Sequence, residues 1–158
     1  MNKSKTFRKK QISSKRKSVR RKTYKYSINS PRNENKTEIA RIFLEMLNNI
    51  KLYHWKTKSY AQHKATDELY EKLNKNIDKF IETLLGKDES RIKLLKKRVE
   101  LLDTKNTNEF KSRIYEYREF LLDMNNIFNG KIDSDILSIR DEMLSDLNQF
   151  LYLLTFDK

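Results

Sequence analysis

Across 158 residues the chain has two glycines, Gly86 and Gly130, and one proline, Pro31. Sheets and long irregular segments use far more of the two residues that turn a backbone. Their scarcity predicts an all-α body. Absent cysteine excludes disulfides, zinc ribbons and thiol catalysis. No apolar run approaches the roughly 18 residues that span a bilayer. No apolar leader follows the charged start, so the expected compartment is intracellular, cytoplasm or nucleus.

Charge divides the chain in two. Residues 1–35 carry 13 Lys/Arg and one acidic residue, Glu34, whereas residues 36–158 carry 22 against 21. We read residues 1–35 as a basic arm, disordered when free because its apolar residues are too sparse to offset ordering entropy. Three clusters, Arg8-Lys9-Lys10, Lys15-Arg16-Lys17 and Arg20-Arg21-Lys22, would neutralise phosphates of DNA or another nucleic acid and release counterions. Phe7, Tyr24 and Tyr26 would stack on unpaired bases. KRKSVRRK also has the look of a nuclear-localisation signal, and a solubilising tail is the plainest alternative.

Residues 36–158 read as four long helices. The first, to about Thr57, begins at a capping-box-like Asn35 and Glu38 and carries Ile39, Ile42, Phe43, Met46, Leu47, Ile50 and Tyr53 inward. The second spans about Gln62 to Leu85, and Gly86 is expected at its left-handed C′ position, with Gly130 closing the third helix in the same way. A short helix over 88–102 leads to the third, which starts at Asn106 and Glu109 and has Phe110, Ile114, Tyr117, Leu121, Met124 and Phe128 as its stripe. The fourth covers about Asp133–Phe156. A long second connection marks ferritin-like topology rather than a simple up-down bundle.

Candidate chemistry is concentrated in HWKTKSYAQHKATDELYEKLNKNIDKFIE, residues 54–82, which holds both histidines and the only tryptophan. On one helix His63, Asp67, Asp78 and Glu82 fall at about 0°, 40°, 60° and 100°, a single stripe beside Tyr70, Leu73, Ile77 and Ile81. His63 and Glu82 are roughly 28 Å apart along that helix, so one metal site can use both ends only if two copies pair antiparallel about a two-fold axis. The intrachain Glu-x-x-His motif of di-iron bundles is absent, because Lys51 and Tyr60 precede the histidines by three. Taken singly, Trp55 reads as core, His54 as a buried hydrogen-bonded histidine, and the carboxylates as a solvated face.

His54-Trp55, His63, Asp67, Asp78, Glu82 and Leu85-Gly86 together resemble the Dps-type mini-ferritins. The resemblance is close over 53–86 and looser over 36–158. It implies a dodecameric shell with iron-oxidation sites between two-fold-related subunits. Metal ligands would then be His54, His63 and Asp67 from one chain and Asp78 and Glu82 from the other, with Trp55 beside them as a radical interceptor. It also implies a Lys-rich arm that binds DNA. Such a ligand set suits iron and tolerates zinc or manganese. The His54–His63 interval is shorter than is usual in that family, with Lys58-Ser59 where glycine is common. The Asn/Lys/Ile-rich composition is similar to that of ferritin-like proteins of large DNA viruses, which would make the virion its compartment. The rival expectation is a non-enzymatic DNA-packaging protein that uses a degenerate bundle to display basic arms. A third is a virion scaffold whose arm meets an acidic protein.

Overall fold

The computed structural model describes residues 32–92, 99 and 101–156. Among them the chain is helical and without strands: α1 (Arg32–Lys56), α2 (Tyr60–Gly86), α3 (Thr107–Asp123) and α4 (Ser134–Leu153), with a 3-10 turn, Met124–Asn126, prolonging α3. Every helix buries the stripe its spacing prescribes. Ile42, Phe43, Met46 and Ile50 of α1, Leu73 and Phe80 of α2, Ile114, Tyr117 and Leu121 of α3, and Ile136, Met143 and Leu147 of α4 are completely buried. Phe43 stands at the centre, edge-on to Phe80 at 5.2 Å and to Phe120 at 5.6 Å.

Contacts between helix ends fix the course of the chain. Residues 57–59 join α1 to α2, so the two are antiparallel. Tyr53, near the end of α1, stacks on Phe110 at the start of α3 with centroids 3.8 Å apart. Phe110 in turn meets Phe150, near the end of α4, edge-on at 5.9 Å. Accordingly α3 runs antiparallel to α1, and α4 runs alongside α1 in the same sense. The order is up, down, down, up. α2 packs chiefly on α1 and α4, and α3 on α4. Residues 87–106 therefore return the chain from one end of the bundle to the other.

Three sequence expectations need correction. The first helix begins at Arg32 and not after Asn35. Arg41 engages both carboxylate oxygens of Glu38, at 3.0 and 3.1 Å, and Asn35 lies inside the helix and not at its cap. Gly86 is the last residue of α2, and neither glycine has a positive φ. The left-handed residue is Glu89, at φ 52°. Ser90 N–H donates to Leu85 C=O at 3.1 Å, which is the 6→1 bond of a Schellman ending with Glu89 at C′. Trp55 is not core: it is 68% exposed. Residues 93–98 and 100 of the expected helix over 88–102 lie outside the described residues; those described there (88–92, 99, 101 and 102) are turn or irregular. The expected start of α3 holds, because Asn106 Oδ1 accepts from Glu109 N–H at 3.0 Å.

Candidate metal centre

The last turn of α1 places His54, and the first turn of α2 places His63, across a connection that Ser59 ends by accepting from Gln62 N–H at 3.3 Å. The two imidazoles stack with centroids 3.9 Å apart. Each Nδ1 addresses the other residue's backbone: His54 Nδ1 lies 3.0 Å from His63 C=O, and His63 Nδ1 lies 3.1 Å from His54 C=O. A carbonyl only accepts, so both rings carry their proton on Nδ1. Thr66 agrees with this. Its hydroxyl donates to Gln62 C=O at 2.7 Å and is left to accept from His54 Nδ1 at 3.3 Å. In the neutral ring Nε2 is then the lone-pair nitrogen, the tautomer that metal-binding histidines adopt when a backbone carbonyl holds the other nitrogen.

Asp67, one turn beyond His63, brings Oδ1 to 3.7 Å from His54 Nε2. The two atoms stand at a spacing that ligands of one ion share, each at about 2.1 Å and subtending about 120°. In this structure the positive charge facing that oxygen is Lys51, 3.3 Å away. Its ammonium holds the Asp67 carboxyl below the ordinary carboxylate value, and it also sits 4.8 Å above the Tyr70 ring. One chain thus brings His54 Nε2 and Asp67 Oδ1 together, with His63 stacked on the His54 ring. Asp78 and Glu82 are exposed on the same side of α2 but farther down it. Among the described residues no group of three or more His, Asp or Glu is disposed to hold a metal ion. The nine basic residues Arg8, Lys9, Lys10, Lys15, Arg16, Lys17, Arg20, Arg21 and Lys22 lie outside the described residues.

A second group of polar residues was not anticipated from the sequence. Glu45 is fully buried and pairs with Arg41 at 2.9 Å. One turn on, Asn49 donates to the Tyr117 hydroxyl at 2.5 Å and accepts from Leu102 N–H at 3.0 Å. Burial pushes the Tyr117 phenol above its usual range, against the opposing hydrogen bond from Asn49. The only sequence trace of this network is that Ile42, Glu45 and Asn49 continue an inward stripe at helical spacing. It clamps the returning segment onto α1.

No helix among the described residues is long and apolar enough to cross a membrane. No curated protein and no solved structure matches the chain. A family of unknown function, DUF5856, matches residues 54–154. The match opens at His54, takes in His63, Asp67, Asp78 and Glu82, and omits the basic segment. Because it covers more than half of the 158 residues, the chain belongs to that family.

Proposed function

We propose that this protein is a ferritin-like bundle of the Dps type, which oxidises Fe(II) at sites completed by a second copy and gathers DNA through its basic segment. One observation carries the reading. The reciprocal Nδ1–carbonyl contacts leave Nε2 as the remaining nitrogen of both rings, and that of His54 stands 3.7 Å from Asp67 Oδ1, a pair of donors that a divalent cation would share. The up, down, down, up course with its long 87–106 return supports it, since ferritin-like bundles have that connection. So does the exposure of Asp78 and Glu82, which leaves them available to a two-fold-related copy. Leu44 and Trp55 on α1 are exposed large apolar residues, and burying them against that copy would favour pairing.

In this reading Fe(II) is the substrate. His54, His63 and Asp67 bind it from one side, and Asp78 and Glu82 of a second copy bind it from the other. Carboxylates favour the ferric product. Two Fe(II) each give one electron to hydrogen peroxide, which takes up two protons and leaves as two waters. Trp55, next to His54 in the chain, would surrender an electron to a stray radical. Lys51 must leave Asp67 as the cation arrives. Anaerobic Fe(II) titration followed by peroxide tests the site. Saturable uptake with rapid Fe(III) absorbance supports the reading, and normal uptake by Asp78→Ala refutes the assignment. Zinc or manganese should compete for the same ligands.

A second reading has its own observation. Lys51 already neutralises Asp67, and no three-ligand group forms among the described residues of one chain. These features favour a degenerate bundle that packages DNA without chemistry. That reading predicts no iron uptake and undiminished DNA binding. In either case about six arm cations on phosphate give a log–log salt slope near −5, and deletion of residues 1–31 should abolish it. The twelve-subunit shell belongs to the first reading, and sedimentation would test it.

A further inference from the structure

At the histidine end of the bundle, on the side away from Asp67, a cleft of about 320 Å³ opens between the α1–α2 connection and the start of α3. Its volume is within the range of small-ligand sites. Tyr53 forms its one aromatic wall. The rest of its lining is polar: Lys56, Lys58 and Lys105 with hydroxyl and amide side chains, and not one carboxylate. The cleft at the opposite end is lined in part by Asp88 and Asp133, and the α2–α4 groove by Glu142 and Asp146.

The walls are held in place. Gln62 Oε1 accepts from the Tyr53 hydroxyl at 2.5 Å and from the Thr57 hydroxyl at 2.8 Å. Gln62 Nε2 donates to Thr107 Oγ1 at 3.4 Å, so one side chain pins three helix ends. Lys56 is tied to Asp103 and to Thr104 C=O. Lys58 and Lys105 form no ion pair with any described residue. Nearby carboxylates are accounted for: Asp103 pairs with Lys56, and Glu109 accepts from Lys105 N–H at 2.8 Å. The first turn of α2 contains no acidic residue to offset its dipole.

We propose that this cleft is an oxyanion site for a phosphoryl group, with Lys58 and Lys105 supplying the charge and the Gln62-pinned helix ends supplying a rigid seat. Two lysines without an ion pair among the described residues, lining a carboxylate-free cleft of hydroxyl and amide side chains, give a phosphate both charge and hydrogen-bond donors. A base or an apolar ligand would find a single ring. The site is distinct from the basic segment, which joins the bundle at the other end of α1, and it does not depend on iron chemistry.

Calorimetric titration of the full-length protein in chloride buffer tests it, with inorganic phosphate and a ten-residue oligothymidylate as separate probes. The expected result is saturable phosphate binding near one per chain, weakened at least tenfold in Lys58→Glu/Lys105→Glu. Displacement of phosphate by the oligonucleotide would identify a phosphodiester as the source. Phosphate binding without displacement would identify the free anion. The more conservative Lys58→Gln/Lys105→Gln serves if the charge reversal perturbs folding. Phosphate affinity unchanged in a folded double variant, or no saturable binding in the parent, would overturn the proposal.

Discussion

Asn49 offers the sharpest check on how the bundle is held. It is 2% exposed and links two partners that are far apart in sequence, the Tyr117 hydroxyl and Leu102 N–H. Asn49→Ala deletes two hydrogen bonds, each worth about 1 kcal/mol net. It also strands a completely buried phenol, at about 1–2 kcal/mol. Leu102 is half-buried, so water reaches its N–H and that penalty stays small. The total is about 3 kcal/mol. With a urea slope of about 2 kcal/mol/M, the midpoint should fall by about 1.5 M. Tyr117→Phe removes one of the two bonds and should cost about 1–2 kcal/mol. The double variant no longer contains the stranded hydroxyl, so it should be milder than the sum of the two by about 1 kcal/mol or more. Urea unfolding followed by circular dichroism measures all three. Additivity to within about 0.3 kcal/mol would refute a direct bond.

Three other substitutions follow from the fold. Glu89→Gly relieves a left-handed backbone and should stabilise by about 0.5–1 kcal/mol, raising Tm by about 2 °C; a lower Tm would refute the Schellman ending. Lys36 and Ser90 hold the Asp88 carboxyl down at about 2, against the ordinary 3.8. The folded state therefore binds fewer protons, so this contribution is present above about pH 4 and lost as pH falls toward 2. Asp88→Asn should flatten the decline of the urea midpoint across that window, and an unchanged decline would count against the pairing. Phe43→Ala removes a ring that touches both Phe80 and Phe120 and should cost about 3–5 kcal/mol; a loss below 1 kcal/mol would mean the core is packed elsewhere.

Amphipathic spacing located the four helices to within a few residues, because burial of an apolar stripe is a local property of the sequence. It also placed Asn106 correctly, since a cap depends on neighbours three residues away. Its failures have a common origin. Gly86 looked like the natural stop, yet α2 continued through it and Glu89 took the left-handed position instead. Lys87, held by Asp133 and Asp135 at 2.8 and 2.9 Å, ties that ending to α4, a partner no local rule includes. Asn49 and Tyr117 are separated by 68 residues, so their bond was invisible until the helices were oriented. The histidine stack was half legible. The stripe suggested that His63 and Asp67 belong together, but the exchange of carbonyls across the 57–59 connection depends on backbone geometry. In the sequence Lys51 only rules out a Glu-x-x-His motif, and its place against Asp67 depends on the α1–α2 packing.

The direction of α1 has a practical consequence for anyone who handles this protein. Its 25 residues span about 37 Å, from Arg32 at one end to the histidines at the other. A fluorophore placed in the first turn of α1 is therefore carried at the end remote from His54 and His63. A label on Lys58 would stand at the mouth of the lysine cleft and crowd it directly. Distance measurements between those two attachment points would read the length of the bundle, and would change only if α1 itself came apart.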